Sequence, residues 1–343
     1  MKKIAIFTVL IIVIVALGAT LVACNNATTQ GQLVDAWKEA RPYERYTYTV
    51  DDSATEGTDG TYVSEIFYHS AYNVSVEEGD SAYNAEKVVV GDTTLEQREG
   101  YLIRSTLTAT LNGSEVLYVT ECYFELTNGS AYLLPVATFR SETQDGAEVF
   151  RMNGVYSGNS MAYTLVTDGG ETKKGSISLS SPYYDNNEFH QSLRGVSTFS
   201  SSFSFAFNTA VVNTTEQTSA ALTFSVSDTE NVTLAFPSCS VDENGEQIMN
   251  ESTVLQCYKA KLSRSTTVAG VSQTLWYSVN PLYAAIDDSG ETPTTKFSTS
   301  DNGWWALPHV LAAFSEPYKT SDRTGTVDYV LSEVSLVQPD SAE

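Results

Sequence analysis

The side chains of this 343-residue chain that could do chemistry are four cysteines, three histidines and an excess of carboxylates. His69, His190 and His309 are scattered and lack His-x-x-x-His or Cys-His spacing, so they do not outline a metal site. A Ser-His-Asp triad is assembled in space, but no Gly-x-Ser-x-Gly elbow is present to supply its nucleophile. Walker and Rossmann glycine patterns are also missing, so the sequence points to no catalytic residue and no cofactor. Asp287-Asp288 with Glu291 offers the oxygens that Ca²⁺ takes, yet without the EF-hand pattern it reads as a solvated acidic turn. Cys239 and Cys257 flank a connection containing Asn244-Gly245 and could meet across a hairpin as a disulfide, which leaves Cys122 unpaired at a strand position that predicts burial. Among 20 Tyr, 14 Phe and 4 Trp, the residues Phe203, Phe205 and Phe207 share one strand face and Trp276 lies on another predicted strand. That face either packs the core or meets an apolar ligand. Trp304-Trp305 is a candidate glycan contact.

The fourth cysteine, Cys24, has a different setting. Met1-Lys2-Lys3 precedes an apolar run from Ile4 to Leu21, the pattern of an export signal over residues 1–23. The run is also about as long as a minimal membrane span, so a retained anchor is the alternative. Leu21-Val22-Ala23-Cys24 resembles the bacterial lipobox. That resemblance implies that the Cys24 thiol receives diacylglycerol and that cleavage makes Cys24 the first residue. The chain would then sit on the extracytoplasmic face of the cell membrane, with the membrane as partner through the lipid and residues 24–31 as a polar tether. Without Lys2 and Lys3 the chain carries 17 basic and 42 acidic residues, a formal charge of −25. Such a surface repels nucleic acid.

Few helices are expected to position these groups. Leu33, Val34, Trp37 and Ala40 mark a short one before Pro42. A second starts at Asp185 as N-cap, with Glu188 completing an Asp-x-x-Glu box and Gly195 at its end. Phe189 and Leu193 would face the core, and Arg194 would meet the helix dipole or a buried carboxylate. A third lies near Trp304 to Phe314, interrupted by Pro308. The rest reads as strands. Tyr46, Tyr48 and Val50 alternate with polar residues, as do Tyr118, Thr120, Cys122, Phe124 and Leu126. Asn112-Gly113, Asn128-Gly129 and Asp168-Gly169-Gly170 separate strands as hairpin turns, and a longer connection joins Val232–Val241 to Val254–Leu262. The expected fold is mainly β: a long curved antiparallel meander with two or three short helices. It spans residues 32–338 as one unit, with subdivision near 181–184 the alternative, and ends in a disordered tail at 339–343.

From Ala131 to Val337 the order of short motifs adds a resemblance. It runs through Leu134-Pro135, Tyr184-Asp185-Asn186-Asn187 leading to Leu193-Arg194, and Cys257-Tyr258-Lys259-Ala260-Lys261-Leu262. It then takes in Thr274-Leu275-Trp276-Tyr277 and closes on Gly325-Thr326-Val327-Asp328-Tyr329-Val330-Leu331. This resembles exported bacterial half-barrel proteins related to the LolA and LolB lipoprotein carriers. Two departures stand out: Leu-Pro lacks the usual spacer, and the segment from Asp287 to Lys319 is longer than the pattern. The resemblance implies a curved sheet around a short helix and no particular activity. The functional expectation is a non-enzymatic binding or carrier lipoprotein for an apolar ligand, whether lipid, hydrophobic peptide or cell-wall component. An envelope interaction platform and a hydrolase are the alternatives.

Overall fold

The computed structural model describes Trp37 and residues 43–54, 59–69, 87–96, 99–111, 113–126, 133–196, 199–241, 246–264, 272–319 and 324–337. The expected export signal, Cys24, the expected tether and the expected tail at 339–343 lie outside the described residues. So do Asn128-Gly129, Asn244-Gly245 and all of the first predicted helix except Trp37, which is helical and buried.

Before the middle of the chain come β1 (Tyr43–Asp52), β2 (Gly60–His69), β3 (Lys87–Val90), β4 (Thr93–Glu96) and β5 (Gly100–Leu111). They are followed by β6 (Ser114–Leu126), β7 (Leu133–Gln144), β8 (Ala147–Ser157), β9 (Ser160–Thr167) and β10 (Thr172–Ser178). A single helical turn, α1 (Phe189–Ser192), runs into a 3-10 turn at Leu193–Gly195. After it come β11 (Ser204–Val212), β12 (Gln217–Leu234), β13 (Ser238–Val241), β14 (Gln247–Asn250), β15 (Thr253–Arg264) and β16 (Gln273–Ser278). The last five are β17 (Leu282–Asp287), β18 (Thr294–Ser298), β19 (Trp305–Leu307), β20 (Leu311–Lys319) and β21 (Thr324–Ser335).

Alternation makes the strands and decides which face they bury. Tyr46, Tyr48 and Val50 are fully buried while Thr49 and Asp51 between and beyond them are exposed. Fourteen strands form one antiparallel sheet in the order β10-β9-β8-β7-β6-β5-β2-β1-β21-β20-β16-β15-β12-β11. The meander is strict from β5 to β10, and its Asp145-Gly146 turn has φ of 48° and 81°, the left-handed pair a two-residue hairpin needs. The first and last described strands, β1 and β21, then pair with each other, so strands from both sides of Ser181 share the sheet.

A twisted sheet this wide curls. Here it curls until the segment that follows edge strand β10 reaches the opposite edge: Asn208 of β11 donates its N–H to Pro182 O (2.8 Å) and accepts from Tyr184 N–H (3.0 Å). The edges also overlap. Phe150, Met152, Met161, Leu165 and Ile177 from β8–β10 pack on Ala210 and Val212, the outer face of β11. The β3–β4 hairpin covers the convex side, burying Val88 and Val90 against Tyr43, Phe67, Leu102 and Tyr123. The result is a mainly β, nearly closed barrel with very few helices. A five-stranded sheet, ordered β14-β13-β18-β17-β19, packs Leu282, Ala284, Phe297 and Leu307 onto the main core where β12 ends and β20 begins.

Three sequence expectations change here. The predicted helix near Trp304–Phe314 is two strands, β19 and β20, with Pro308 between them and Leu311 to Phe314 all buried. The expected strand Val232–Val241 breaks at Pro237, which lacks the N–H a ladder requires, and β13 departs into the second sheet. That departure removes the expected Cys239–Cys257 disulfide. Cys239 pairs with Met249 and Ser298 in the small sheet, whereas Cys257 lies between Glu230 and Ser278 in the barrel. Cys122, Cys239 and Cys257 are all free and buried.

Candidate functional site

The segment joining the two sheet edges turns inward, because Tyr184, Phe189 and Leu193 need an apolar face and the lumen supplies it. Phe189 stacks on Phe207 with ring centroids 4.5 Å apart. Two carboxyls enter with them. Asp185 accepts Tyr156 OH (2.6 Å) and the N–H of Asn187 (2.8 Å). Glu188 hydrogen-bonds Ser105 Oγ (2.9 Å) and Thr120 Oγ1 on the lumen wall. Burial raises both carboxyls, Glu188 well above the ordinary range, which favours its neutral acid form. Burial, followed by the nearby Asp185 and Glu188, also raises the Cys122 thiol, so that sulfur is not set up as a nucleophile. The predicted capping box is therefore corrected. Asp185 does hold a backbone N–H of the turn, but the helix begins only at Phe189 and Glu188 makes no capping bond. Its partners are on the sheet instead.

Arg194 follows on the same segment with no exposed surface. Its guanidinium meets Glu44 Oε2 at 3.2 Å, Gln191 Oε1 at 3.2 Å and Pro308 O at 3.3 Å, and lies 4.4 Å from the centre of the Tyr46 ring. Tyr46 OH donates to the same Glu44 oxygen (2.5 Å). The two readings of Arg194 left open by the sequence resolve toward a buried ion pair that ties the inner segment to β1.

Beyond this plug the lumen is hollow. A cavity of about 1000 Å³ has α1 at its base, with Asn186, Asn187, Phe189 and His190 on its surface. It runs toward the barrel end that carries the β5–β6 and β11–β12 turns, where Leu111 and Glu216 line it. Leu107, Val211, Ala220, Leu222, Leu262 and Val327 supply apolar wall. Phe314 and Tyr329, stacked at 4.0 Å, and Tyr62 supply aromatic wall. At the rim, Arg264 donates through both terminal nitrogens to Glu216, one bond being 3.0 Å. Another stretch of wall is a polar series. His190 Nε2 lies 2.9 Å from Gln273 Oε1, and Gln273 Nε2 donates to Glu316 Oε1 at 2.5 Å. The amide oxygen fixes the proton of the neutral imidazole on Nε2. Burial lowers the His190 pKa and lifts the Glu316 carboxyl to about 7, against an opposing pull from Arg140. Arg140 itself pairs with Glu142 at 3.3 Å.

No protein-family model matches this chain, and no curated protein matches it. In structure it is similar to a β-barrel-like protein of the domain of unknown function DUF1849 from Brucella abortus. The TM-score is 0.44 at 9% sequence identity, over 87% of this chain and 98% of that one.

None of the four residues expected to face a ligand lines the cavity. Phe203, Phe205 and Phe207 are buried against one another and against Tyr184, Phe189, Phe199 and Phe224, so the helical segment occupies the surface they were expected to offer. Trp276 points outward: its Nε1 bonds Glu230 and Lys259 Nζ sits 5.4 Å above its ring. Its neighbours Leu275 and Tyr277 are the buried ones, as alternation requires. Trp305 is exposed on an edge of the small sheet, away from the cavity lining. Asp287 is bound to Lys296 (2.8 Å) and Ser289, and that pairing holds its carboxyl down to about 2.

Among the cavity residues that sequence reading missed are Arg140, Thr209, Val211, Gln273 and Glu316. For two of them a signal existed. Thr209 and Val211 continue the odd-numbered face of Phe203, Phe205 and Phe207 past the end of α1. Gln273 and Glu316 sit on different strands and meet only through the β16–β20 pairing.

Proposed function

We propose that this chain is a lipid-anchored extracytoplasmic binding protein that takes an apolar or amphipathic ligand into its barrel lumen. The observation that carries the reading is the cavity of about 1000 Å³, in which an aliphatic and aromatic wall faces a comparable number of polar and charged side chains, the lining an amphipathic ligand needs. Its volume is at the upper end of the range of small-molecule sites, about 300–1,000 Å³. The ligand site is thus the far half of the aromatic strand face, beyond the part that α1 covers. The export signal and the lipobox at Cys24 supply the address.

Two measurements test the two parts separately. Expressed with its signal in a bacterial host, the chain should take up labelled lipid and partition with membranes, and Cys24→Ser should do neither. Equal acylation of the mutant would remove the anchor. For the lumen, Val211→Trp places an indole in the cavity without touching the Phe189–Phe207 stack. The natural chain should brighten an environment-sensitive acyl probe, and Val211→Trp should weaken that binding by about tenfold or more, a loss of about 1.4 kcal/mol. An unchanged probe response in a folded Val211→Trp protein would place binding elsewhere.

A further inference from the structure

We infer, resting on the lumen reading above, that the ligand is a cationic amphiphile whose protonated amine seats against Glu316 while its alkyl part lies along the aliphatic wall. The argument is one of charge matching. The charged side chains lining the cavity are Arg140, Glu216, Arg264 and Glu316. Arg264 is held by Glu216 through both of its terminal nitrogens. Arg140 is held by Glu142 at 3.3 Å and lies 5.3 Å from the centre of the Phe150 ring. Glu316 is the remaining carboxylate, and no basic side chain among the described residues comes within ion-pair distance of it. Its hydrogen bond is from the Gln273 amide.

The groups facing Glu316 from each neighbouring element cannot supply the missing charge. Gln273 on β16 is neutral, and its carbonyl is engaged by His190. Burial lowers the His190 pKa and so favours its neutral form. Tyr118 on β6 and Tyr329 on β21 are phenols that burial holds in their protonated form. Arg140 on β7 acts on Glu316 from a distance and is matched by Glu142. Glu316 is only partly buried and keeps surface toward the cavity, so a ligand ammonium can reach it and form a charge-assisted hydrogen bond that no side chain of the wall supplies. A second wall group is incomplete too. Thr209 has no exposed surface, lines the cavity, and its hydroxyl has no partner among the described residues. A hydroxyl donates or accepts and so adds no charge preference, which leaves Glu316 to set the sign of the ligand's charge.

Because burial lifts the Glu316 carboxyl to about 7, the site gains its negative charge across the neutral range. An alkylammonium stays charged throughout that range, so its affinity should rise from pH 6 to pH 8.

The test uses the full chain in nanodiscs, with empty nanodiscs as blank, titrated with octylammonium, octanol and octanoate. Octylammonium should bind about tenfold tighter than octanol at pH 8, with octanoate weakest, and the preference should shrink at pH 6. Glu316→Gln, which keeps the shape and the Gln273 contact, should erase the preference and its pH dependence, so that octylammonium and octanol bind the variant alike. Equal affinities for octanol and octylammonium overturn the inference and leave the lumen reading standing. So does an amine preference that survives Glu316→Gln, since the acidic surface would then be its source. Failure of all three amphiphiles to bind overturns the lumen reading itself.

Discussion

Arg194→Ala should lower the unfolding free energy by about 3–5 kcal/mol, the usual consequence of removing one charge of a buried pair. Glu44 is the charge left behind. It is buried, and Arg194 at 3.2 Å is a cation with no exposed surface of its own. Water cannot replace the guanidinium at that depth, and Pro308 O and Gln191 Oε1 lose a donor in the same step. The second member of the test separates pairing from packing. Arg194→Met combined with Glu44→Gln removes both charges and keeps much of the volume, so it should recover most of the loss. Urea denaturation of the three proteins reads this directly. An Arg194→Ala loss below about 1 kcal/mol, the range of exposed pairs, would show that the pair is solvated. The functional consequence is positional: Arg194 fastens to β1 the same segment whose Phe189 and His190 form the cavity base.

Phe189→Ala should cost about 3–5 kcal/mol, as for large aromatic truncations in a close-packed core. Phe189 is 2% exposed, stacks on Phe207 at 4.5 Å and has Tyr184 at 5.9 Å and Phe224 at 6.3 Å. Its loss also joins the cavity to the space left in the core. Phe189→Leu restores most of the volume and should recover more than half of the midpoint shift in urea. A truncation that costs less than about 1 kcal/mol would mean that α1 packs loosely, and the base of the cavity would then have to be sought elsewhere.

Much of the strand architecture is a local property and was legible from the residues. Alternation in β1 and β6, the glycine turns at Gly113 and Gly169 with φ of 83° and 85°, and the inward segment from Tyr184 to Arg194 all follow from side chains within a few positions of each other. Period two also states that Phe205, Phe207, Thr209 and Val211 share a face and that Trp276 does not share one with Leu275 and Tyr277. The resemblance of Leu21-Val22-Ala23-Cys24 to a lipobox is local as well, and the proposed anchor rests on the sequence alone.

What only the tertiary structure decided is which partner each face meets. Sequence could not say that β1 pairs with β21, that Pro237 sends β13 into a second sheet, or that Cys239 and Cys257 end in different sheets. Nor could it say that α1 fills the lumen beside Phe207 and stops short of Val211. Glu188 and Glu316 look alike as letters. One is satisfied by Ser105 and Thr120, and the other faces a cavity with Gln273 as its hydrogen-bond donor. The physical reason is range: backbone geometry and alternation act between neighbours in the chain, whereas burial and charge matching depend on strands brought together only when the sheet closes.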